Sequence, residues 1–277
     1  MRIDDIRVYP IKSCGGISLT EATLDARGLE HDRRFMVVDE HDRFVTLRTE
    51  PTLPAVELAI DAEHYRVRFP GGRELQLPVD PSGAGRRRVR VWDDDVEADE
   101  IVAASEAFSD YLHRRIRLVH LPTDVVRPVN PKRARPGDEV SFADAYPLLL
   151  MSRSSVSDLS VRVGREMDMR RFRPNLVLAD SPAYEEDFFA RVRIGDLTFR
   201  GPKACSRCVA TTIDPITGTK SVEPLRTLAG YRRAHGEVFL GMNLIHDGPG
   251  TLRVGSAVTV TERHAERAFG EAPASSG

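Results

Sequence analysis

This sequence of 277 residues lacks three features that would be informative: long apolar runs, numerous cysteines and an excess of charge of one sign. No apolar stretch approaches the roughly 18 residues that a membrane-spanning helix needs, so we expect no membrane segment. The opening residues, MRIDDIRVYPIK, lack the apolar core and cleavage site of a signal peptide. Three cysteines are too few for a disulfide framework, which favours the reducing cytoplasm.

The charge balance argues against nucleic acid as a partner. Forty Lys and Arg residues are matched by 42 Asp and Glu, a net charge of −2, and the chain has one Trp and six Tyr. Nucleic-acid binders normally show a basic excess. We expect arginine runs such as 86–88 to be solvated and balanced by nearby acids. A nicotinamide site is not expected either, because no G-x-G-x-x-G segment follows a strand and opens a helix.

The apolar pattern predicts a mainly β protein with a few helices, an α+β fold. Alternation predicts strands at residues 2–9, 35–38, 44–47, 65–69, 75–77, 89–92, 175–178, 192–194, 197–199, 252–254 and 258–260. The last two are expected to pair with each other through Gly255. Helical spacing predicts one helix ending near Leu112, one capped by Ser154 and one around Leu228. Residues 125–138 show no periodicity and predict either a connection between two domains or a long functional loop.

The most informative segment is GPKACSRCVATTIDPITG at residues 201–218, which holds Cys205 and Cys208 in a C-x-x-C spacing beside Arg207. A structural zinc site would need further ligands at matching spacing. A thioredoxin-like pair would open a helix, whereas the β-branched residues after Cys208 predict a strand. A single reactive thiolate, favoured by adjacent cations, would bind a soft metal. Two ordinary buried cysteines are a fourth alternative, and spacing alone leaves all four open.

Several segments resemble one family. YPIKSCGG at 9–16 and GLEHDRRFMVVD at 28–39 resemble the β-barrel domain that precedes MOSC domains. FRPNLVL at 172–178, ACSRCVATTIDPITG at 204–218 and the closing VFLGMN…GTLRVG resemble the MOSC domain itself. Their order and spacing are similar to those of the mitochondrial amidoxime-reducing components and their bacterial relatives. The resemblance covers about residues 2–262.

The resemblance implies a domain organisation and a cofactor. It implies an N-terminal β-barrel domain over residues 1–122 and a MOSC β-barrel domain with peripheral helices over 123–264. The tail, 265–277, is predicted to be disordered from its composition. In this family the second cysteine of the CSRC segment, here Cys208, binds the metal of a molybdenum cofactor in its molybdopterin form. The other cofactor contacts implied by the resemblance fall on Lys12, Ser13, Arg34, Arg173, Asn175, Ser206 and Arg207. Such a set includes the guanidinium and ammonium donors that the phosphate of a pterin cofactor needs.

The resemblance also implies an activity. It points to reduction of N-hydroxylated small molecules (amidoximes, hydroxylamines and N-hydroxylated bases). The electrons are expected from a separate flavin or haem/iron–sulfur reductase, because an internal cluster would need four cysteines. Asp144 is a candidate proton relay, while Ala145 and Tyr146 stand where the mitochondrial relatives carry hydroxyl residues. The alternative function is a cofactor carrier or a sulfurase-like module without turnover of its own.

Overall fold

The computed structural model describes residues 1–81, 83 and 85–269. Strands account for most of the regular structure in these residues, so the predicted α+β class is confirmed. The strands are β1 (Arg2–Val8), β2 (Ile17–Leu19), β3 (Glu21–Asp25), β4 (Gly28–Leu29), β5 (Phe35–Val38), β6 (Glu57–Ile60), β7 (His64–Arg68), β8 (Glu74–Pro78), β9 (Arg86–Val91), β10 (Asp94–Glu100), β11 (Arg117–His120), β12 (Leu148–Ser152), β13 (Leu176–Ala179), β14 (Phe189–Ile194), β15 (Leu197–Ser206), β16 (Arg233–Ala234), β17 (Glu237–His246), β18 (Gly250–Arg253) and β19 (Val258–Arg263). The helices are α1 (Val102–Leu112), α2 (Arg153–Val163) and α3 (Leu225–Ala229). Short 3₁₀ turns span Leu53–Ala55, Met169–Phe172, Glu185–Phe188 and Val209–Thr212.

Among the described residues the strands form four sheets. The largest has the order β19-β14-β15-β17-β12-β13-β1-β2, with β16 added to β17. In it β12 and β13 run parallel, and the pairs on either side of them are antiparallel. The smaller sheets are β5-β11-β10-β9, β18-β3-β4 and β6-β7-β8. None of the described helices has the length and apolar composition that crossing a bilayer requires.

The beginning of the chain is built into the sheets of its second half. Strand β1 pairs with β13, where Ile6 lies opposite Leu176, and β3 pairs with β18. Ile3, Ile6 and Val8 are fully buried in the core shared by these sheets. Because these apolar side chains of β1 are buried in that core, they stabilise the pairing of the first strand with strands of the second half of the chain. The predicted boundary near residue 122 therefore divides the sequence but does not divide the sheets.

A second core lies within the N-terminal half. It contains Phe35 of β5, Tyr65 of β7 and Phe108 of α1, all fully buried. The β7–β8 hairpin turns at Gly71 and Gly72, each with φ of +92°, a conformation that glycine adopts without steric cost. Residues of this half and of the second half together line a cavity between them.

Four predictions of local structure are wrong. Residues 44–47 make isolated bridges and no strand. The strands near 252–254 and 258–260 do not pair with each other, because β18 joins β3 and β19 joins β14. The residues after Cys208 form a 3₁₀ turn. Helix α2 is capped by Ser152, whose Oγ accepts a hydrogen bond from Ser155 N at 3.0 Å, rather than by Ser154. Partners far along the chain override local strand patterns in the first three cases.

The arginine run 86–88 has the surroundings predicted for it. Its members pair with carboxylates, among them Arg86 with Asp124 at 2.8 Å and Arg87 with Asp42 at 2.9 Å. The side chains of Arg86 and Arg87 are 40% and 32% exposed. The run is therefore an acid-balanced surface and not a binding patch.

The described part of the predicted tail is packed. Ala268 N donates to Asp187 O at 2.9 Å, and Ala268 O accepts from Ala204 N at 2.7 Å. The ring of Phe269 stacks on Phe239 with 4.9 Å between ring centroids. Ala268 and Phe269 therefore pack against β15, β17 and the turn that holds Asp187. The rest of the predicted tail lies outside the described residues.

Candidate functional site

A cavity of about 590 Å³ between the two halves of the chain contains both cysteines of the C-x-x-C segment. Its lining carries many basic side chains and, among the described residues, one carboxylate. The basic residues are Lys12, Arg33, Arg48, Lys132, Arg133, Arg171, Arg173, Lys203 and Arg207, and the acid is Asp144. Such an excess of positive charge inside a concave surface attracts a small anion.

Cys208 lies where β15 ends and the 3₁₀ turn Val209–Thr212 begins. The end of β15 is held by a hydrogen bond of 2.7 Å from Arg207 N to Val238 O. The carbonyl of Cys208 then accepts hydrogen bonds from Thr211, from N at 3.1 Å and from Oγ1 at 3.0 Å. These bonds fix the backbone on both sides of Cys208, and its side chain is left exposed at the cavity.

The three thiols have different environments. Burial raises the pKa of Cys14 to about 12, and burial also raises the pKa of Cys205. Cys208 is exposed, and its Sγ accepts a hydrogen bond from Arg48 Nε at 3.2 Å. A reactive or metal-binding cysteine needs both access and a cationic neighbour. Cys208 is the most exposed of the three and is the one that accepts a hydrogen bond from a cationic side chain among the described residues.

Asp144 joins the two halves at the edge of this site. Its Oδ1 accepts hydrogen bonds from Lys12 Nζ and, at 3.2 Å, from Trp92 Nε1. Its Oδ2 accepts one from Arg48 Nη2 at 3.1 Å. Burial acts to raise the pKa of Asp144, but the charges of Lys12 and Arg48 outweigh it and hold that pKa well below its usual range. Asp144 is therefore ionised at neutral pH and acts as a hydrogen-bond acceptor.

Lys12 is the buried member of this network. Its Nζ also donates to Phe142 O at 2.8 Å. Burial lowers the pKa of Lys12 to about 8; the carboxylate of Asp144 opposes that shift, and the charges of Arg127 and Arg48 add to it. An amine with a pKa near the operating pH can both hold and release a proton.

Four non-glycine residues that line the cavity have a left-handed backbone. The φ angles are +74° at Ser13, +50° at Arg33, +55° at Trp92 and +55° at Arg173. Positive φ is uncommon outside glycine, and residues held there tend to gather at functional sites. Their concentration around one cavity supports its functional role.

Arg173 has an unsatisfied donor. Its guanidinium lies over the ring of Tyr9, 4.1 Å from the centroid, and Nη1 donates to Cys14 O at 2.7 Å. Nη2 is buried and has no hydrogen-bond partner among the described residues. Burial and the charge of Arg33 lower the pKa of Arg173 to about 10. A buried donor left unpaired costs about 1–3 kcal/mol, and an anionic ligand would satisfy it.

Most of the residues predicted from the sequence meet at this cavity. Those among its lining are Lys12, Ser13, Asp144, Arg173, Asn175, Ser206, Arg207 and Cys208. The amide of Asn175 is already engaged, since Oδ1 accepts from Leu149 N at 3.1 Å and from Arg33 Nη1 at 3.0 Å, and Nδ2 donates to Arg7 O at 3.1 Å. Asn175 therefore orients its neighbours and ties strands together.

Arg34 is the predicted residue that the structure places elsewhere. Its Nη2 donates to both carboxylate oxygens of Asp25, at 2.8 and 2.7 Å, and to Leu29 O at 3.2 Å. Its neighbour Arg33 lines the cavity instead. The two side chains diverge because Arg33 has a left-handed backbone, whereas Arg34 leads directly into β5. The structure therefore places Arg33, and not Arg34, in the lining of the cavity.

The guanidinium of Arg207 supports the backbone around the cavity. It donates to Leu240 O at 2.8 Å and to Phe172 O at 3.2 Å, and Nη2 lies 3.3 Å from Met151 Sδ. Gly241, with φ of +80°, leaves room for Met151 and Arg207, since a Cβ there would lie 2.6 Å from Met151 Cγ and 3.3 Å from Arg207 Nη2. Arg207 therefore links the end of β15 to β17 and to the 3₁₀ turn that precedes Arg173.

Sequence reasoning missed Arg48 and Trp92. The guanidinium of Arg48 lies 4.8 Å from the centroid of the Trp92 ring, and Trp92 packs on Phe44 with 5.0 Å between centroids. Trp92 is the single tryptophan of the chain, and this rarity is the signal that the sequence offered. In the structure its side chain is 42% exposed. Nothing in the local pattern marks Arg48, because its partners are distant in sequence.

A metal site built from protein ligands is not found in the described part of the chain. No group of three or more His, Cys, Asp or Glu side chains there could hold a metal ion. The zinc alternative left open by the C-x-x-C spacing therefore has no set of ligands in residues 1–81, 83 and 85–269.

Comparison with known proteins places the chain in a family. The MOSC N-terminal beta barrel domain matches residues 1–115, and the MOSC domain matches residues 137–259. The human mitochondrial amidoxime-reducing component 1 is 32% identical over 271 residues, covering 91% of this chain and 80% of that protein. The human component 2 is 33% identical over 236 residues, covering 81% and 70%. Among solved structures, the YUAD protein from Bacillus subtilis is 10% identical with a TM-score of 0.41, covering 93% of each chain. The domain matches and the curated relatives show that this chain belongs to the MOSC-domain family that includes the mitochondrial amidoxime-reducing components.

Proposed function

We propose that this chain is a molybdenum-cofactor-dependent reductase of N-hydroxylated small molecules, with Cys208 as the metal ligand. The observation that carries the proposal is the exposed Cys208 sulfur in a cavity lined mainly by cations. The names of the curated relatives, amidoxime-reducing components, support the substrate class. A soft thiolate beside cations is suited to a soft metal on an anionic carrier.

The residues of the cavity fit such a cofactor. Its volume of about 590 Å³ lies within the range of cofactor sites, roughly 300–1,000 Å³. The unpartnered Nη2 of Arg173 is a donor for a phosphate oxygen, and Arg33 adds a second guanidinium. Lys12, Ser13 and Ser206 are proposed as further contacts, while Asn175 orients Arg33 and Arg207 supports the backbone around the cavity through the hydrogen bonds described above.

The protein's own groups have separable tasks in this proposal. When bound, the cofactor supplies the two electrons that, with two protons, convert an N–OH group to the amine or amidine and water. Cys208 anchors the cofactor at the exposed end of the cavity. Lys12 Nζ holds a proton at neutral pH, because its pKa is about 8, and hydrogen-bonds to ionised Asp144. We assign proton delivery to this pair, with Lys12 as the proton source and ionised Asp144 as the acceptor that orients the ammonium.

Electrons come from a separate protein in this proposal. A flavin or haem/iron–sulfur reductase is the class of donor, and cytoplasm is the proposed compartment. All three cysteines are free thiols in the structure, the state that metal binding by Cys208 requires.

Metal analysis combined with a matched cysteine pair tests the proposal. Protein purified from a molybdenum-replete host should contain molybdenum and should reduce an amidoxime with a reduced viologen dye. Cys208→Ser should lose the metal and the activity, whereas Cys205→Ser, three residues earlier in the same segment, should keep most of both. Equal loss in the two variants, with zinc bound at one equivalent, would contradict the assignment. Loaded protein that reduces no N-hydroxylated compound would favour the carrier alternative.

A further inference from the structure

One guanidinium contacts both Cys208 and Asp144 at the exposed end of the cavity. Arg48 donates from Nε to Cys208 Sγ at 3.2 Å and from Nη2 to Asp144 Oδ2 at 3.1 Å. A planar guanidinium can serve two acceptors at once because its donors diverge in fixed directions. Arg48 comes from the N-terminal half, whereas Cys208 and Asp144 belong to the second half.

Arg48 is held rigidly in this position. Its guanidinium stacks on Trp92, 4.8 Å from the ring centroid. The backbone turn before it is closed by hydrogen bonds from Thr49 N and Glu50 N to Thr46 O, at 3.0 and 2.8 Å. Lys220 Nζ donates to Arg48 O at 3.3 Å. The side chain is therefore fixed by its own turn and by stacking, and not by Cys208 alone.

The two acceptors depend on Arg48 to different degrees. Asp144 keeps hydrogen bonds from Lys12 and Trp92 if Arg48 is removed. The sulfur of Cys208 has no donor other than Arg48 in the part of the chain that the structure describes. A change at Arg48 consequently acts most strongly on the sulfur.

We propose that Arg48 is a positioning residue that sets the electron density of the Cys208 sulfur and thereby raises the reduction potential of the metal bound to it. This inference rests on the proposed function. A hydrogen bond and a positive charge at a ligating thiolate withdraw electron density and stabilise the reduced metal, which carries more negative charge. The separate electron donor can then reduce the metal more readily.

Spectroelectrochemical titration of the molybdenum tests the inference directly. Arg48→Gln keeps a hydrogen-bond donor and removes the charge, so its midpoint potential should be lower than that of the wild type. Arg48→Lys keeps the charge but cannot span both acceptors, so its midpoint potential should lie between those of the wild type and Arg48→Gln. Arg88→Gln is the matched control, because it makes the same charge change at a side chain that is 75% exposed and pairs with Asp95.

A second variant keeps the test decisive if Arg48→Gln binds no metal. Asp144→Asn removes the carboxylate that shares Arg48 with the sulfur, so the potential should shift upward. Thermal unfolding should give similar midpoints for the Arg48 variants and the wild type. Unchanged potentials in Arg48→Lys and Asp144→Asn would overturn the role of Arg48. Wild-type protein that binds no molybdenum would instead refute the proposed function.

Discussion

Lys12 donates a hydrogen bond to Asp144, a residue 132 positions further along the chain. The ammonium is 6% exposed, while the carboxylate is half exposed at the mouth of the cavity. A buried cation thus reaches the solvent-facing acid of the opposite half. The pair fixes the relative position of the segments that carry the residues lining the cavity.

The pH dependence of stability should report on this pair. Burial lowers the pKa of Lys12 to about 8, below its ordinary value of 10.5. Between those values the unfolded chain binds more protons than the folded chain, so this group makes the free energy of unfolding rise with pH, by at most about 1.4 kcal/mol per pH unit. Denaturant titrations between the two pKa values, about 8 and 10.5, should show this rise in the free energy of unfolding for the wild type. The rise should be absent in Lys12→Met.

Lys132→Met is the control for that measurement. Lys132 lines the same cavity but is exposed. Its removal should leave the pH dependence as in the wild type. The same slope in wild type and Lys12→Met would show that Lys12 keeps an ordinary pKa.

Alkylation should distinguish the three thiols in the native protein. Cys208 is exposed and hydrogen-bonded to Arg48, so iodoacetamide should modify it first. Cys205 should react more slowly, and Cys14 should stay unmodified until the chain unfolds, because burial raises both pKa values. Peptide mass spectrometry over time gives the order. All three should react at similar rates in denaturant, and faster native labelling of Cys205 than of Cys208 would contradict the structure.

The adjacent arginines 33 and 34 should have different roles. Arg33→Lys keeps a charge beside Asp32 but loses the planar fork at the cavity, so molybdenum per folded chain should fall several-fold. Arg34→Ala removes a charge-assisted hydrogen bond to Asp25 and should cost about 1.5–3 kcal/mol of stability. Metal content should then be unchanged in the folded fraction. Selective metal loss in the Arg34 variant would restore the assignment made from the sequence.

A buried ion pair behind the cavity should dominate the stability of the MOSC half. Arg232 Nη2 donates to both oxygens of Asp187, at 2.6 and 2.7 Å, and both side chains are fully buried. Asp187→Asn should cost about 3–5 kcal/mol, because it leaves a buried cation without its counter-ion. The exposed pair of Asp110 and Arg73 is the control, and Asp110→Asn should cost less than about 1 kcal/mol. Chemical denaturation of both variants measures the difference.

Much of the site could be recognised in the sequence because its segments carry local signals. The C-x-x-C segment next to Arg207 drew attention to Cys208, and the structure leaves that thiol exposed. Family resemblance added Lys12 and Arg173, which lie at the same cavity. Each of these residues belongs to a short run whose composition is itself distinctive.

Other parts of the site had no such signal. The choice between Arg33 and Arg34 depends on one left-handed residue, and a dipeptide of two arginines does not show which guanidinium turns inward. Arg48 follows a segment wrongly predicted as a strand, and its acceptors lie 96 and 160 positions away.

Strand alternation, turn residues and the cysteine segment are local properties of the chain, so the α+β class and the family could be recognised without coordinates. That β1 lies beside β13, that β18 joins β3 and that Arg48 reaches Cys208 became evident only in the folded chain. These contacts join residues from opposite ends of the chain. They form because the apolar strands bury their faces in shared cores, and that burial brings together charges that are far apart in the sequence.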